Sequence, residues 1–328
     1  MKKVLLINPT IYPEGVERLK EEVEIVMAPD GKPETLKEYL SGDIDGVIVR
    51  LEKLTADVIA SAKQLKVIGM NGAGVNIIDV DFATKSGIAV VNVVGANSYS
   101  VAEHINMFLL ALARDVKRAD LAVRSGYWMY RDEHSPHDIH GTTFFAVGYG
   151  NIGREICRVV KHAYDMRVFV YDPFVDNAEI AANGYTKVNT LEEGLGQADY
   201  ISLHLPHNDK THHLINERTI SHMKPGCKFI NCARGPIVDY DALCDALADG
   251  RIGMAGIDVY PEEPVSADHR IFTLENVIAT PHCAGDTYEA RVRIARSVAN
   301  DVLKVLRGEC PGAFVNPAVA DVNPALFH

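Results

Sequence analysis

The chain has 328 residues, of which 47% are hydrophobic and 23% are charged. This composition is that of a globular protein with room for two domains, each with its own core. The formal net charge of -11 opposes binding to nucleic acids or to anionic membranes. No stretch approaches the roughly 20 apolar residues of a membrane span. The apolar run after Lys2 and Lys3 ends at Asn8-Pro9, so we expect a buried strand there rather than a signal peptide. The six cysteines form neither a CxxC pair nor a zinc spacing, so we expect reduced thiols and a cytoplasmic protein.

Short apolar runs alternate with amphipathic stretches as far as Asn92. We predict strands at Val4–Ile7, Val23–Met27, Val47–Val49, Val67–Gly69 and Ala89–Val91, and helices at Gly15–Glu22, Glu34–Leu40 and Thr55–Ala62. This alternation is typical of an open parallel sheet with helices on both faces. A glycine-rich loop, Gly69 to Asn76, follows the fourth strand. This loop either binds a ligand carboxylate through its N–H groups or only turns the chain before the next helix. The sequence does not favour one alternative.

Apolar residues recur at helical spacing from Ser98 to Arg124, which predicts one long helix leading from the first domain to the second. The polar and aromatic segment Ser125 to Gly141 is predicted to be an extended connection. Its aromatic residues favour a subunit interface or, equally, anchoring of the loop. The segment also contains three histidines (His134, His137 and His140), but no cysteine or carboxylate pattern completes a metal site with them, so we predict no metal.

A glycine-rich turn follows the predicted strand Thr143 to Val147. It reads Gly148-Tyr149-Gly150-Asn151-Ile152-Gly153, and a helix to His162 and a strand from Arg167 to Tyr171 come after it. The glycines permit a sharp turn, approach of a pyrophosphate and close helix packing, respectively. Asp172 stands where an acid accepts both adenosine ribose hydroxyls and repels a 2′-phosphate. We therefore predict an NAD site, although purely structural turns also use glycines.

The remaining chain continues the alternation of strands and helices. Strands are predicted at Thr186–Val188, Tyr200–Leu205, Cys227–Asn231, Met254–Asp258 and Val277–Ala279, and helices at Asp239–Asp249 and Tyr288–Leu306. The last helix is long enough to return to the first domain. The predicted fold class is α/β, with two doubly wound parallel-sheet domains. These are a discontinuous, flavodoxin-like substrate domain of residues 1–98 and 288–328, and a Rossmann NAD-binding domain of residues 99–287.

Three polar blocks follow the last strands: Asn231–Gly235, Asp258–Pro264 and Thr280–Gly285. The carboxyl ends of parallel strands lie at one edge of a sheet, so these blocks can converge on one cleft. An arginine there would bind a substrate carboxylate, a histidine would transfer a proton near neutral pH, and a glutamate would favour the imidazolium. Each residue alone also has a structural explanation, such as a helix cap or a solvated side chain.

Taken together, several segments resemble the D-isomer-specific 2-hydroxyacid dehydrogenases. They are Gly148–Gly153 with Asp172, Ser202–Ile215, Met223–Asp239, Gly256–Pro264, Ala279–Gly285, the loop Gly72–Asn76 and Asn97–His104. The resemblance covers nearly the whole chain. It implies a phosphoglycerate dehydrogenase-like, NAD-dependent enzyme that interconverts a small 2-oxo acid and the (R)-2-hydroxy acid, and a homodimer.

The resemblance also implies roles for individual residues. His282 would be the general acid/base, Glu263 its acidic partner, and Arg234 the substrate-binding group. Glu263 is preferred to Glu262 because it directly precedes a proline. The backbone amides of Gly72, Ala73 and Gly74 would bind the substrate carboxylate. The implied cofactor-binding residues are Gly148, Tyr149, Gly150, Asn151, Ile152 and Gly153, then Asp172, His204 and Pro206 on the adenosine side, Cys232, Ala233 and Asp258 on the nicotinamide side, and Gly285.

Several alternatives stay open. Met70 and Asn71 replace the arginine of relatives that act on 3-phosphoglycerate, although Arg50 could still reach such a substrate. An NAD-sensing, co-repressor-like interaction protein would retain the same residues. Formate dehydrogenases carry glutamine in place of Glu263, which argues against that activity. Oxidation of the thiols beside Arg234 and His282 (Cys232 and Cys283) would lower activity, unless both thiols are inert.

Overall fold

The computed structural model describes residues 1–327, which form two compact units. The first unit consists of Met1–Asn97 and the chain from Asp286 onward, and the second unit is Ser98–Gly285. The predicted fold class is confirmed, because each unit contains a parallel sheet with helices on its faces. None of the helices in residues 1–327 is both long and apolar enough to cross a membrane.

All twelve predicted strands occur, in the predicted order. The strands are β1 (Lys3–Ile7), β2 (Glu24–Ala28), β3 (Gly46–Val49), β4 (Val67–Met70), β5 (Ala89–Val91), β6 (Thr143–Val147), β7 (Arg167–Tyr171), β8 (Thr186–Lys187), β9 (Tyr200–Leu203), β10 (Cys227–Asn231), β11 (Ile252–Ile257) and β12 (Val277–Ala279). The helices are α1 (Pro13–Lys20), α2 (Pro33–Leu40), α3 (Ala56–Ile59), α4 (Val80–Lys85), α5 (Ser98–Ala113), α6 (Val116–Arg124), α7 (Tyr130–Glu133), α8 (Asn151–Tyr164), α9 (Asn177–Ala182), α10 (Leu191–Leu195), α11 (Glu217–Ile220), α12 (Tyr240–Ala248), α13 (Tyr288–Arg307) and α14 (Val319–Val322).

The first unit has the strand order β2-β1-β3-β4-β5, which is the flavodoxin-like order. Helix α13 closes this unit because small residues let it approach closely. A Cβ at Gly69 would lie 2.8 Å from side-chain atoms of Val298 and Val302. At Gly15 a Cβ would lie 2.6 Å from the carbonyl oxygen of Ala295. These contacts fasten a distant part of the chain to the sheet.

The second unit has the strand order β12-β11-β10-β9-β6-β7-β8. The direction of the order reverses between β9 and β6, so the crevice beyond their carboxyl ends is the position where doubly wound sheets bind dinucleotides. Two buried apolar clusters cover the two faces of the sheet. The polar blocks predicted from sequence follow β10, β11 and β12, which are adjacent strands.

The prediction of one long helix from Ser98 to Arg124 is wrong. The chain forms α5 and α6, which are separated at Asp115, where φ is 47°. The carboxylate of Asp115 accepts a hydrogen bond from the Tyr130 hydroxyl at 2.8 Å and pairs with Arg118 at 2.7 Å. These contacts stabilise a left-handed residue in a run whose apolar pattern shows no break. Both helices lie in the second unit, and the segment predicted as extended contains α7.

The consecutive phenylalanines Phe144 and Phe145 of β6 have a packing explanation. Both side chains are fully buried in β6. A Cβ at Gly194 of α10 would lie only 2.1 Å from Cζ of Phe145, so the phenyl ring occupies the space that this glycine leaves. On the other face of the strand, the ring of Phe144 stacks with that of His204 at 6.5 Å between centroids.

Candidate active site

The central pair of the candidate site is His282 and Glu263. His282 Nδ1 lies 2.6 Å from Glu263 Oε2, and both side chains remain partly accessible to solvent. The other carboxylate oxygen of Glu263 accepts a hydrogen bond from the backbone N–H of Tyr260 at 3.0 Å. No contact joins Glu262 to His282. The imidazole is therefore bonded to the carboxylate through Nδ1, which leaves Nε2 available to a ligand.

Arg234 lies in a tight turn after β10. The buried side chain of Asn231 shapes this turn, because its Oδ1 accepts from the N–H of Ala233 at 3.0 Å and its Nδ2 donates to the carbonyl oxygen of Arg234 at 3.1 Å. Arg234 is half-buried, and no acidic side chain in residues 1–327 lies within ion-pair distance of it. A half-buried guanidinium without a carboxylate partner is well suited to binding an anion.

The turn after β10 and the segment after β11 are in direct contact. A Cβ at Gly235 would lie 1.8 Å from the carbonyl oxygen of Tyr260, so only glycine allows the two backbones to approach this closely. The Tyr260 hydroxyl in turn donates to the carbonyl oxygen of Thr280 at 2.9 Å. The N–H of Asp258 also donates to the carbonyl oxygen of Asn231 at 3.0 Å, so the segments that carry Arg234, Glu263 and His282 are hydrogen-bonded to one another.

The buried carboxylate of Asp258 organises the loop around His282. Its Oδ1 accepts from the Thr280 hydroxyl at 2.5 Å and from the N–H of Cys283 at 2.9 Å, and its Oδ2 accepts from the N–H of Ala284 at 2.9 Å. Oδ2 keeps capacity for one further donor, as the implied bond to a nicotinamide amide requires.

The glycine turn after β6 fits a dinucleotide. A Cβ at Gly148 (φ 102°) would lie 2.6 Å from the carbonyl oxygen of His204, and one at Gly153 would lie 2.4 Å from that of Gly148. Gly150, by contrast, faces open space. It is the N-cap of α8, and no side chain caps this helix end. The N–H groups of Asn151, Ile152 and Gly153 are therefore available to phosphate oxygens.

Asp172 follows β7 and contacts the glycine turn. One of its carboxylate oxygens accepts from the N–H of Tyr149 at 2.8 Å, and the other accepts from the N–H of Phe174 at 2.9 Å. A carboxylate oxygen has two lone pairs, so both oxygens can still accept from ribose hydroxyls. This geometry is compatible with the predicted preference for NAD.

The other implied cofactor residues also follow strands of the second unit. Cys232 and Ala233 are buried next to Arg234, and Pro206 is exposed after β9. Both ring nitrogens of His204 are fully buried and have no hydrogen-bond partner within residues 1–327, and this burial lowers the pKa of His204 to about 3. Gly285 ends the second unit.

The predicted substrate loop belongs to the first unit. The carbonyl oxygen of Gly72 accepts from the N–H of Val93 at 2.9 Å, and that of Ala73 accepts from Asn92 Nδ2 at 2.6 Å. These bonds fix the loop through its carbonyl groups. The N–H of Gly72, which was predicted to bind the substrate carboxylate, already donates to the carbonyl oxygen of Met70 at 2.8 Å. The N–H groups of Ala73 and Gly74 have no acceptor in residues 1–327, so they can donate to an anion.

The cysteines near the site differ in exposure. Burial raises the pKa of Cys232 well above its usual range, so this thiol stays protonated and poorly reactive. Cys283 is only partly buried. Its Sγ, His104 Nε2 and a carboxylate oxygen of Asp258 lie within 4.8 Å of one another. Zinc accepts such donors, but the oxygens of Asp258 already accept three protein hydrogen bonds, so we do not propose a metal site there.

Comparison with known proteins identifies the family. The model of the D-isomer specific 2-hydroxyacid dehydrogenase, NAD binding domain, matches residues 106–284. This chain belongs to the D-isomer specific 2-hydroxyacid dehydrogenases. Residues 106–284 are accordingly the NAD-binding domain of a member of this family, and NAD is its cofactor.

Individual relatives agree with this assignment. The chain is 38% identical to D-3-phosphoglycerate dehydrogenase of Methanocaldococcus jannaschii over 96% of its own length and 60% of that protein. It is 33% identical to glyoxylate reductase of Korarchaeum cryptofilum, with 100% of both chains covered. D-mandelate dehydrogenase of Rhodotorula graminis superimposes with a TM-score of 0.88 at 28% identity, covering 96% and 97% of the two chains. The chain spans between 51% and 60% of the length of the curated phosphoglycerate dehydrogenases that it matches.

Some supporting residues were missed by the sequence reasoning. Asn231 and Thr280 lie inside the segments Met223–Asp239 and Ala279–Gly285, and His104 ends the segment Asn97–His104. None of the three was predicted to have a role. The available signal was a polar side chain at the end of, directly after, or within an apolar segment. A buried polar residue needs hydrogen-bond partners, but the sequence does not show which ones.

Proposed function

We propose that this chain is an NAD-dependent oxidoreductase that interconverts a small 2-oxo acid and the corresponding D-2-hydroxy acid. The observation that carries the proposal is the 2.6 Å contact between His282 Nδ1 and Glu263 Oε2, in segments bonded to that of the unpaired Arg234. The bound cofactor would supply the hydride as NADH in the reducing direction and accept it as NAD+ in the oxidising direction. The chain itself must then move a proton and bind a carboxylate, which these side chains are suited to do.

The proton transfer falls to Nε2 of His282, because Glu263 occupies Nδ1. In the reducing direction, Nε2–H donates to the oxygen that becomes the alcohol, and Glu263 stabilises the imidazolium that this step requires. In the oxidising direction the neutral ring accepts the proton. Arg234 binds the substrate carboxylate and polarises the carbonyl group, and the free N–H groups of Ala73 and Gly74 bind the carboxylate, with Gly72 shaping their loop.

The proposed substrate is an unphosphorylated acid. Met70 is buried and apolar, so this position, which lies before Gly72, offers no charge to a phosphate. Arg50 lies 3.6 Å from Asp286, an acid that also pairs with Arg291, so its charge is partly compensated. A 3-phosphoglycerate dehydrogenase activity is the alternative within the family, and the substrate panel below distinguishes the two.

We further propose a homodimer in which the face around α6 contacts the same face of a second copy. A cavity of about 720 Å³ opens there, lined by residues that include Ala119, Ala122 and Met254. On the same face Trp128 is 65% exposed and Val123 62% exposed. A face that carries both a cavity and projecting apolar side chains can be complementary to an identical copy about a two-fold axis.

The test of the activity is NADH oxidation at neutral pH. The substrates would be pyruvate, glyoxylate, hydroxypyruvate, branched and aromatic 2-oxo acids, and 3-phosphohydroxypyruvate, with NADPH as the control cofactor. We expect turnover of an unphosphorylated acid with NADH and much slower turnover with NADPH. Preference for 3-phosphohydroxypyruvate would replace the proposed substrate class. Tight NADH binding without turnover of any acid would contradict the enzyme and favour an NAD-sensing protein.

A further inference from the structure

A series of hydrogen bonds runs from helix α5 to the loop that carries His282. His104 Nε2 lies 3.1 Å from Thr280 Oγ1, and Thr280 Oγ1 donates to Asp258 Oδ1 at 2.5 Å. An ionised carboxylate can only accept, so the single hydroxyl proton of Thr280 is directed to Asp258. His104 must therefore donate to Thr280. Burial lowers the pKa of His104, so the neutral ring carries its proton on Nε2.

The far end of this series holds the backbone of His282. Asp258 accepts from the N–H groups of Cys283 and Ala284 through its carboxylate, and from the N–H of His282 through its carbonyl oxygen at 2.8 Å. His282 has φ of 51°, a left-handed conformation that a non-glycine residue adopts only when its surroundings hold it there. The orientation of Asp258 therefore determines where the imidazole lies.

Packing fixes the near end of the series. The His104 ring meets the ring of Phe108 edge-on, with 4.8 Å between centroids. Phe108 is fully buried against β11, where a Cβ at Gly256 would lie 2.6 Å from its Cγ. Helix α5 is thus held against strand β11, whose last residue directly precedes Asp258. His104 consequently has little freedom to move away from Thr280.

We propose that His104 and Thr280 are positioning residues for the acid/base His282. Neither side chain needs to contact the substrate, because both act through the orientation of Asp258. This inference rests on the proposed function, since it assigns the support of the same proton-transferring group. Without the hydrogen bonds from His104 to Thr280 and from Thr280 to Asp258, the carboxylate of Asp258 can rotate. The left-handed turn at His282 then loses the bonds that maintain it.

The test compares two pairs of matched variants. Thr280→Val removes the hydroxyl at nearly constant volume, and Thr280→Ser keeps it; His104→Leu removes the donor, and His104→Gln keeps a donor near Nε2. We expect Thr280→Val and His104→Leu to lower kcat about 10- to 100-fold, because small misplacements of a reacting group have effects of this size. KM for the 2-oxo acid should change little, because Arg234 and the N–H groups of Ala73 and Gly74 bind its carboxylate, and Thr280→Ser and His104→Gln should retain most of the activity. Equal losses in Thr280→Ser and Thr280→Val would overturn the proposal.

A double variant tests whether the two residues act in one series. If they do, kcat of the double variant His104→Leu with Thr280→Val should be nearly that of Thr280→Val alone. His104 acts only through the Thr280 hydroxyl, so its removal has no further effect once that hydroxyl is gone. Multiplication of the two individual losses would instead show that they act independently, and would refute the series.

Hydrogen exchange provides a measurement that does not depend on turnover. The backbone amides of Cys283 and Ala284 should exchange faster in Thr280→Val than in the wild-type chain or in Thr280→Ser, with NADH present throughout. Unchanged exchange in Thr280→Val would contradict the positioning role even if activity fell. A wild-type chain that turns over no 2-oxo acid would refute the proposed function, and the exchange result would still decide whether the loop depends on Thr280.

Discussion

At the scale of single residues, the candidate site combines exposed groups, which we propose for proton transfer, with buried polar groups that hold the surrounding loops. His282 and Glu263 remain accessible, whereas Asn231 and Asp258 are buried and have hydrogen-bond partners. Accessible groups can exchange protons with a ligand. Buried groups maintain geometry, because leaving them without partners would cost free energy.

The roles of the two neighbouring glutamates give the first prediction. Glu263→Gln should lower kcat by about 10- to 100-fold, since the amide cannot stabilise the imidazolium, and His282→Ala should lower it by about 100- to 10,000-fold. Glu262→Gln is the matched control, because Glu262 has no contact with His282, and its steady-state kinetics should match wild type. Full turnover in a folded His282→Ala protein would disprove the proposed mechanism.

The buried imidazole of His204 gives a second prediction, about stability. Burial lowers the pKa of His204 to about 3, below its ordinary value of 6.5, so the unfolded chain binds one more proton between these pH values. The contribution to stability is complete above pH 6.5 and is lost as the pH falls towards 3. At pH 5 the loss should be about 2 kcal/mol.

Urea denaturation at pH 7.5 and pH 5 measures this effect. Between the two pH values, His204→Leu should lose about 2 kcal/mol less of its free energy of unfolding than the wild-type chain loses. Comparing the two proteins removes the contributions of all other titrating groups. An identical pH dependence in both would show that His204 is accessible to protons in the folded state.

At the scale of secondary-structure elements, adjacent parallel strands bring the functional blocks together. Strands β12, β11 and β10 are neighbours, so the segments of His282, Glu263 and Arg234 begin about 5 Å apart from one strand to the next. The glycine turn after β6 and Asp172 after β7 lie further along the same sheet edge. The order of the strands thus arranges the residues proposed for the nicotinamide side and those proposed for the adenosine side along one edge of the sheet.

The packing of α10 on β6 gives a prediction at this scale. Gly194→Ala should reduce the free energy of unfolding by about 1–3 kcal/mol, because its Cβ would overlap the buried ring of Phe145. Gly196→Ala is the control: its Cβ would lie 3.5 Å from the nearest atom and its φ is −69°. Urea denaturation should show a stable Gly196→Ala protein. If Gly194→Ala were equally stable, Phe145 would have to be free to move.

At the scale of the whole molecule, the proposed dimer explains apolar groups that the second unit leaves exposed. Trp128→Glu should convert a dimer into a monomer by light scattering, because it places a charge in the proposed interface. Phe174→Glu is the control, since Phe174 is 91% exposed but lies near Asp172 and does not line the cavity of the proposed interface. A wild-type chain that is already monomeric at working concentration would contradict the dimer.

Much of the fold could be predicted from local sequence. Strands β5, β6, β7, β10 and β12 have the predicted bounds, because β-branched and aromatic runs bounded by turn residues form buried parallel strands. The break at Asp115 could not be predicted, since it depends on Tyr130 and Arg118. The Phe144-Phe145 pair likewise required its tertiary neighbours, such as Gly194, for an explanation.

The sequence by itself determined the two sheets, the glycine turn and the residue types of the site, because spacing along a strand or turn is a local property. The tertiary structure alone decided which carboxylate contacts His282, that Arg234 has no acidic partner, and that His104 and Thr280 support Asp258. These residues are far apart in the chain. Their contacts arise only when adjacent strands align their ends and the buried polar groups find partners.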